Sequence, residues 1–208
     1  MKTNPRHGKP GFTLIELMAV ITIIVILAAL VVVGLESANQ KQSRLKATVQ
    51  LTLLTKGLEQ YKLDMASYPV SANTANGLGQ SGTCLYQALF RDGYDFTSSG
   101  TPPATWNKAT TIYVPDLDPT SSKQGWVTPV TASGAVPPAA TPVIDPWGKE
   151  YRYRSVKNAA GNANSNTINP EFDLWTSGRD QNTDPGTPTA TSNKDDIRNF
   201  TPPTPSRP

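Results

Sequence analysis

Hydrophobic and polar residues follow three patterns along this chain, and each predicts an element. From Leu17 to Leu35 the run is apolar except for Thr22. At about 1.5 Å per residue it reaches about 28 Å, close to the hydrocarbon thickness of a bilayer. A second pattern follows without a turn signal: Ala47, Leu51, Leu54, Leu58, Tyr61 and Met65 recur at spacings of three and four. That spacing lays one apolar stripe on a helix, with Lys46, Gln50, Lys56, Glu59, Gln60 and Lys62 on its other faces. No proline lies between Phe12 and Tyr68. One helix is therefore predicted from about Phe12 to about Asp64, roughly 80 Å long. Tyr68-Pro69 ends it, because the residue before proline is pushed out of the α region. Gly34 and Gly57 each weaken it by about 1 kcal/mol relative to alanine, and Gly34 is a candidate flexible point.

The third pattern lies near the C-terminus. Glu150 to Ser155 alternates in period two, Phe172 to Thr176 reads as a second strand, and the two form an antiparallel hairpin. Asp145-Pro146-Trp147-Gly148 is the turn before it, and Asp196 to Phe200 is a candidate third strand. Between helix and hairpin, residues 70–83 read as loop, and Cys84 to Phe90 as a two-turn helix stopping at Asp92-Gly93. Residues 97–143 are rich in Thr, Pro, Ser and Ala. They read as an insertion laid over the surface, with Ile112 to Val114 as its candidate strand, since unstructured loops this long are uncommon in compact domains. The tail 201–208 is expected to be disordered. The fold class is α+β: a long N-terminal helix packed against a small antiparallel sheet. The expected segments are 1–11 leader, 12–35 membrane helix, 36–68 its continuation, and 69–200 globular head.

Composition narrows the function. The chain has 208 residues and a formal net charge of +3. Lys2, Arg6 and Lys9 all precede Phe12, and without them 16 basic residues balance 16 acidic ones. No basic patch with interleaved aromatics follows, so nucleic acid is rejected as a partner. Cys84 is the single cysteine and reads as a small buried hydrophobe or neutral loop residue rather than half of an intrachain disulfide. His7, the single histidine, lies in the leader. A chain without it has no His-based triad, no Cys–His pair and no histidine metal site. The chain reads as a non-enzyme.

The three basic residues before the apolar run keep that end cytoplasmic and send the rest across the membrane. An ordinary secretory signal peptide begins the same way. However, this run is longer than a typical signal core, and no small-x-small cleavage site closes it. Within the anchor, Glu16 stands in the first helical turn, where the helix dipole favours a carboxylate. If the chain were cut after Gly11, Phe12 would carry a free amine one turn from Glu16, and the two could pair within one chain or between neighbours.

Gly11-Phe12-Thr13-Leu14-Ile15-Glu16-Leu17-Met18 resembles the processing motif of type IV pilins and type II secretion pseudopilins. The resemblance implies cleavage between Gly11 and Phe12 by a prepilin peptidase and N-methylation of Phe12. It also implies recognition of a neighbour's N-terminus by Glu16 during assembly. Leu58 to Asp64, Tyr68-Pro69, Asp145 to Tyr151 and Phe172 to Gly178 are similar to the major pseudopilin of type II secretion. That family implies an inner-membrane, single-pass subunit with a periplasmic head, polymerising into a helical filament that drives export across the outer membrane. The implied partners are further copies of the chain, minor pseudopilins, an inner-membrane platform protein and an assembly ATPase. The family also implies calcium in the C-terminal loop, carried over by position to Asp180, Asp195 and Asp196, and hard oxygen ligands suit that ion. Lys194 stands where the family often has an acidic residue, and the insertion is unusual for a major pseudopilin. A surface type IV pilin or minor pseudopilin is the alternative within this architecture, and a membrane-anchored periplasmic enzyme or binding protein the alternative outside it.

Overall fold

The computed structural model describes residues 11–70, 81–91, 111–119, 125–128, 142–157, 163–184, 187 and 190–200. The leader before Gly11, the Asp92-Gly93 stop and the tail 201–208 lie outside them, as do most of the 70–83 loop and much of the insertion. Two compact units divide the chain, residues 1–41 and 42–208.

Helix α1 runs Leu14–Met65. In the first unit its described side chains are exposed except the half-buried Gln40, and the helix passes through Gly34 without a break. An 18-residue window there has a mean hydropathy of 3.1 and no buried share. In the second unit the predicted stripe is buried at Ala47, Leu51, Leu54, Leu58 and Tyr61. Met65 is 38% exposed, unlike the rest of the stripe. The helix ends there, and the chain leaves through Ala66 in the left-handed region (φ 60°), a position that glycine usually takes. Gln50, expected on a polar face, is buried because the Tyr151 hydroxyl donates to its Oε1 at 2.8 Å.

Helix α2, Ser81–Tyr86, continues into one π-helical turn, Gln87–Arg91, so the expected short helix is present but begins three residues earlier, inside the segment read as loop. Glu150 caps it: Oε1 accepts the amides of Gly82 (2.7 Å) and Thr83 (3.3 Å). Cys84 is fully buried in the core.

Strands β1 (Arg152–Ser155), β2 (Phe172–Thr176) and β3 (Ile197–Arg198) form an antiparallel sheet in the order β1-β2-β3. The hairpin and the third strand are as expected. Alternation was expected over Glu150 to Ser155, but β1 is buried at its last three positions, and β2 is buried at all five. Phe172 and Leu174 join Tyr151 and Tyr153 in the core that includes the α1 stripe. Asp173 and Trp175 alternate with them along the strand, so they belong to the opposite face, where Thr183 and Phe200 pack on Trp175.

The 97–143 segment departs furthest from expectation. Ile112 to Val114 is not a strand. The amides of Tyr113 and Val114 both donate to the Leu89 carbonyl (2.9 and 3.1 Å), and a 3-10 turn, Pro115–Leu117, follows. Tyr113, Val114, Leu117, Trp126, Val127 and Val143 enter the core, so this segment is not merely laid over the surface. The Trp126 indole N–H donates to the Asp116 carbonyl at 2.8 Å, which allows the ring to be buried.

Val114 also explains Gly57. A Cβ at Gly57 would stand 2.3 Å from Val114 Cγ2 and 3.5 Å from Leu89. The glycine costs the helix about 1 kcal/mol but lets the segment cross against its backbone. Gly57→Ala is therefore expected to destabilise the head by about 1 kcal/mol net, overpacking of about 1–3 kcal/mol outweighing the propensity gained. Chemical denaturation with an unchanged m-value checks this, and a stabilised variant would refute the close packing.

Candidate functional site

The residues singled out in the sequence form two sites, one in each compact unit. In the first unit Gly11 and Phe12 are exposed ahead of α1, Phe12 at 82%. Thr13 is the last residue before the helix. Its backbone N–H and its hydroxyl each donate to Glu16 Oε2 at 2.8 Å, and the Glu16 amide returns a longer bond to Thr13 Oγ1 at 3.3 Å. This is a capping box, which satisfies two of the donors that a helix start leaves open. The dipole argument had placed Glu16 correctly but missed its partner. The signal was available, since Thr-x-x-Glu before an apolar run is the sequence form of that box. A carboxylate heading an apolar helix is thus provided for within its own chain.

The second site is the acidic loop after β2. Two left-handed residues shape it, Gly178 (φ 64°) and Gln181 (φ 58°). Gly178 is required as well as permitted there, because a Cβ would meet Asp195 Oδ2 at 2.5 Å and its carbonyl at 2.6 Å. The loop brings Asp180 and Asp195 together: the Asp180 amide donates to Asp195 Oδ2 at 3.0 Å. Asp180 Oδ1 also accepts the Asn182 amide at 2.8 Å. Asp196 Oδ2 accepts the Thr183 hydroxyl at 3.0 Å. Its Oδ1 is buried without a hydrogen-bond partner among the described residues. Burial raises the Asp196 carboxyl to about 6; Asp195 and Asp180 push it the same way, while Thr183 and Arg198 oppose them. Each of the three carboxylates thus commits one oxygen to a bond within the loop. Among the described residues no three Asp, Glu, His or Cys side chains already form a metal-holding group.

Several residues that hold this loop were missed. Asn193 is buried, and its side chain closes the loop on itself. Oδ1 accepts the Asp184 amide (2.6 Å), and Nδ2 donates to the carbonyls of Asp184 (2.9 Å) and Thr187 (3.0 Å). Asn199 Oδ1 accepts the Leu174 amide at 2.7 Å, extending β3 along β2 with a side chain in place of backbone. Beneath the loop, Arg154 Nη2 donates to Asp173 Oδ2 at 2.9 Å, with both side chains at or below 2% exposure. The guanidinium carbon sits 5.1 Å from the centre of the Trp175 ring. The Asp-Pro-Trp-Gly turn joins the same structure. Asp145 Oδ1 accepts the amides of Trp147 and Lys149, its Oδ2 accepts the Thr176 hydroxyl, and Gln181 Nε2 donates to the Trp147 carbonyl.

Comparison with known proteins places both sites in context. Residues 6–32 match the prokaryotic N-terminal methylation motif, and residues 35–118 match the type II secretion system protein G family. The acidic loop lies beyond both matches. A type II secretion system core protein G from Klebsiella michiganensis is 36% identical over 43% of this chain and 64% of its own length. One from Aeromonas hydrophila is 38% identical over 42% and 62% respectively, so the chain spans just under two thirds of each. One from Pseudomonas aeruginosa is 30% identical over 71% of this chain and 75% of its own length. No solved structure matches the chain significantly. The leader motif, the long helix and the three-quarters coverage of that Pseudomonas relative agree, and the chain belongs to the type II secretion system core protein G family.

Proposed function

We propose that this chain is the structural subunit of a type II secretion pseudopilus, stored in the inner membrane and assembled into a helical filament that drives protein export. The observation that carries this reading is the capping box of Thr13 and Glu16 at the head of an exposed apolar helix, in a chain of this family. The basic residues before Phe12 keep the N-terminus cytoplasmic, so the head is periplasmic. A prepilin peptidase cuts between Gly11 and Phe12, and Phe12 is N-methylated. In the stored subunit Thr13 satisfies the Glu16 carboxylate. In the filament Glu16 pairs with the Phe12 amine of a neighbour, which fixes axial register because an unpaired charge among apolar helices is expensive. Minor pseudopilins, a platform protein and an assembly ATPase act with it, and the role is structural rather than catalytic.

The test is made in cells competent for secretion. Wild-type chain should begin at methylated Phe12 by intact mass; a chain still beginning at Met1 would sink the reading. Glu16→Ala should leave the head's melting temperature unchanged and reduce filaments and export at least tenfold. Loss of surface fibres with normal export would favour a surface pilin instead.

For the acidic loop we propose calcium held by Asp180, Asp195 and Asp196. Three carboxylates on two facing stretches, each with one oxygen committed within the loop, suit a hard cation that takes six to eight oxygens. When bound, the ion neutralises their mutual repulsion and cross-links residue 180 to residues 195 and 196. Saturating calcium over chelator is expected to raise the melting temperature of the full chain in detergent by about 5–10 °C, since a ligand at 100 times its Kd adds about 2.7 kcal/mol. The same midpoint with and without chelator would remove the ion from the account.

A further inference from the structure

A cavity of about 10 Å³ lies between the sheet and the acidic loop, lined by Arg154, Trp175, Thr183, Asn193, Asp196 and Arg198 among others. Two of these residues carry a buried polar atom with no hydrogen-bond partner among the described residues: Arg154 Nε, a donor, and Asp196 Oδ1, an acceptor. Arg154 is 2% exposed, and its Nη2 is already engaged with Asp173. A buried polar group left unsatisfied costs about 1–3 kcal/mol, more when charged, so two on the walls of one cavity demand an explanation.

We propose that this cavity is a binding site for a single buried water that accepts from Arg154 Nε–H and donates to Asp196 Oδ1. Size and charge both select water. About 10–15 Å³ is the space of one water molecule, too little for phosphate or an organic ligand. A bare cation would face the guanidinium of Arg154, and a halide would face the Asp196 carboxylate. Water alone among species of this size is at once donor and acceptor, and the lining charges are balanced, two arginines (154, 198) against two aspartates (184, 196). The consequence is a division of labour within the acidic cluster. Asp196 is the inward member: its Oδ2 accepts from Thr183, its Oδ1 is tied through water to the sheet, and the second lone pair of Oδ2 stays open to a cation in the loop. Asp180 and Asp195, which bond each other across the loop, are the outward members. The loop is then anchored to β1 through Arg154 whether or not a divalent cation is present.

This goes beyond the calcium reading and does not depend on it. The experiment is solid-state NMR on the full chain in lipid bilayers with arginine ¹⁵N labelling, the Arg154 Nε signal being assigned by its loss in Arg154→Lys. The expected result is a cross-peak from Arg154 Hε to a water that does not exchange with bulk on the mixing time, unchanged by chelator. Asp196→Asn, which keeps the acceptor oxygen, should retain it. Asp196→Leu, which fills the cavity, should abolish it. Absence of the cross-peak in the wild-type chain would overturn the proposal, as would direct Arg154 Nε to Asp196 Oδ1 contact at about 2.9 Å. Persistence of the cross-peak in Asp196→Leu would do the same. A chelator effect on melting bears on calcium alone, so the two readings fail separately.

Discussion

Replacing Asp173 by alanine is expected to lower the stability of the head by about 3–5 kcal/mol, because it leaves the buried Arg154 charge without its carboxylate. The pair is buried at 2% and 0% exposure, and the two residues are direct cross-strand partners in the β1–β2 register. Asp173 also holds the chain entering β2: its Oδ2 accepts the Ile168 amide and its Oδ1 the Asn169 amide, each at 2.9 Å. Alanine would therefore orphan three donors at once. For a domain of this size the loss corresponds to about 10–20 °C in melting temperature. The paired replacement Arg154→Met with Asp173→Leu should cost less than Asp173→Ala alone, since no charge remains to be stranded. A double replacement that costs the sum of both singles would show that the residues act independently, contrary to the buried pair.

The second large effect is expected at Asp145, where the nature of the substitution matters more than its size. Asp145 is 3% exposed. It binds two amides of its own turn and the Thr176 hydroxyl at the end of β2. Asp145→Ala leaves those donors unpaired and is expected to cost about 3 kcal/mol or more. Asp145→Asn keeps an acceptor for the amides, and its new N–H can donate to the Thr176 oxygen, so it should cost about 1 kcal/mol or less. The protonation of the native group points the same way. Burial holds the Asp145 carboxyl above its ordinary value of 3.8, against the hydrogen bonds from Thr176, Lys149 and Trp147. A carboxyl raised in the folded state binds its proton more tightly folded than unfolded. Its stabilising contribution is therefore greatest at low pH and declines as pH rises through the folded pKa. The asparagine variant has no such decline, so its stability relative to wild type should improve from pH 4 towards pH 7. A relative stability that worsens over that range would show that the charged carboxylate is the favoured form.

The fold was legible wherever neighbours in the chain carry the information. A stripe at spacings of three and four fixes which face of α1 is buried, and five of its six positions are buried as expected. The anchor needs only length and hydropathy, and the hairpin only two apolar runs and a loop. The N-terminal site was legible for the same reason, since Thr13 and Glu16 lie three residues apart and one helical turn joins them. Ile112 to Val114 marks the boundary of that method. A short apolar run predicts burial, but whether it pairs as a strand depends on what lies beside it, and here that is the π-helical turn at Leu89 and the backbone at Gly57.

The sequence by itself thus determined the long helix, its membrane-like half, the carboxylate of Glu16 in the first turn and the antiparallel hairpin, all set by local periodicity and composition. Only the tertiary structure decided that β2 would be covered on both faces and that Arg154 would meet Asp173 nineteen residues away. It also decided that Asp145 would reach Thr176 across thirty-one residues, and that the acidic loop would divide between inward and outward carboxylates. A charged residue in a strand reads as solvent-facing until a distant loop closes over it. Burial of polar groups is decided by long-range partners that no local pattern specifies.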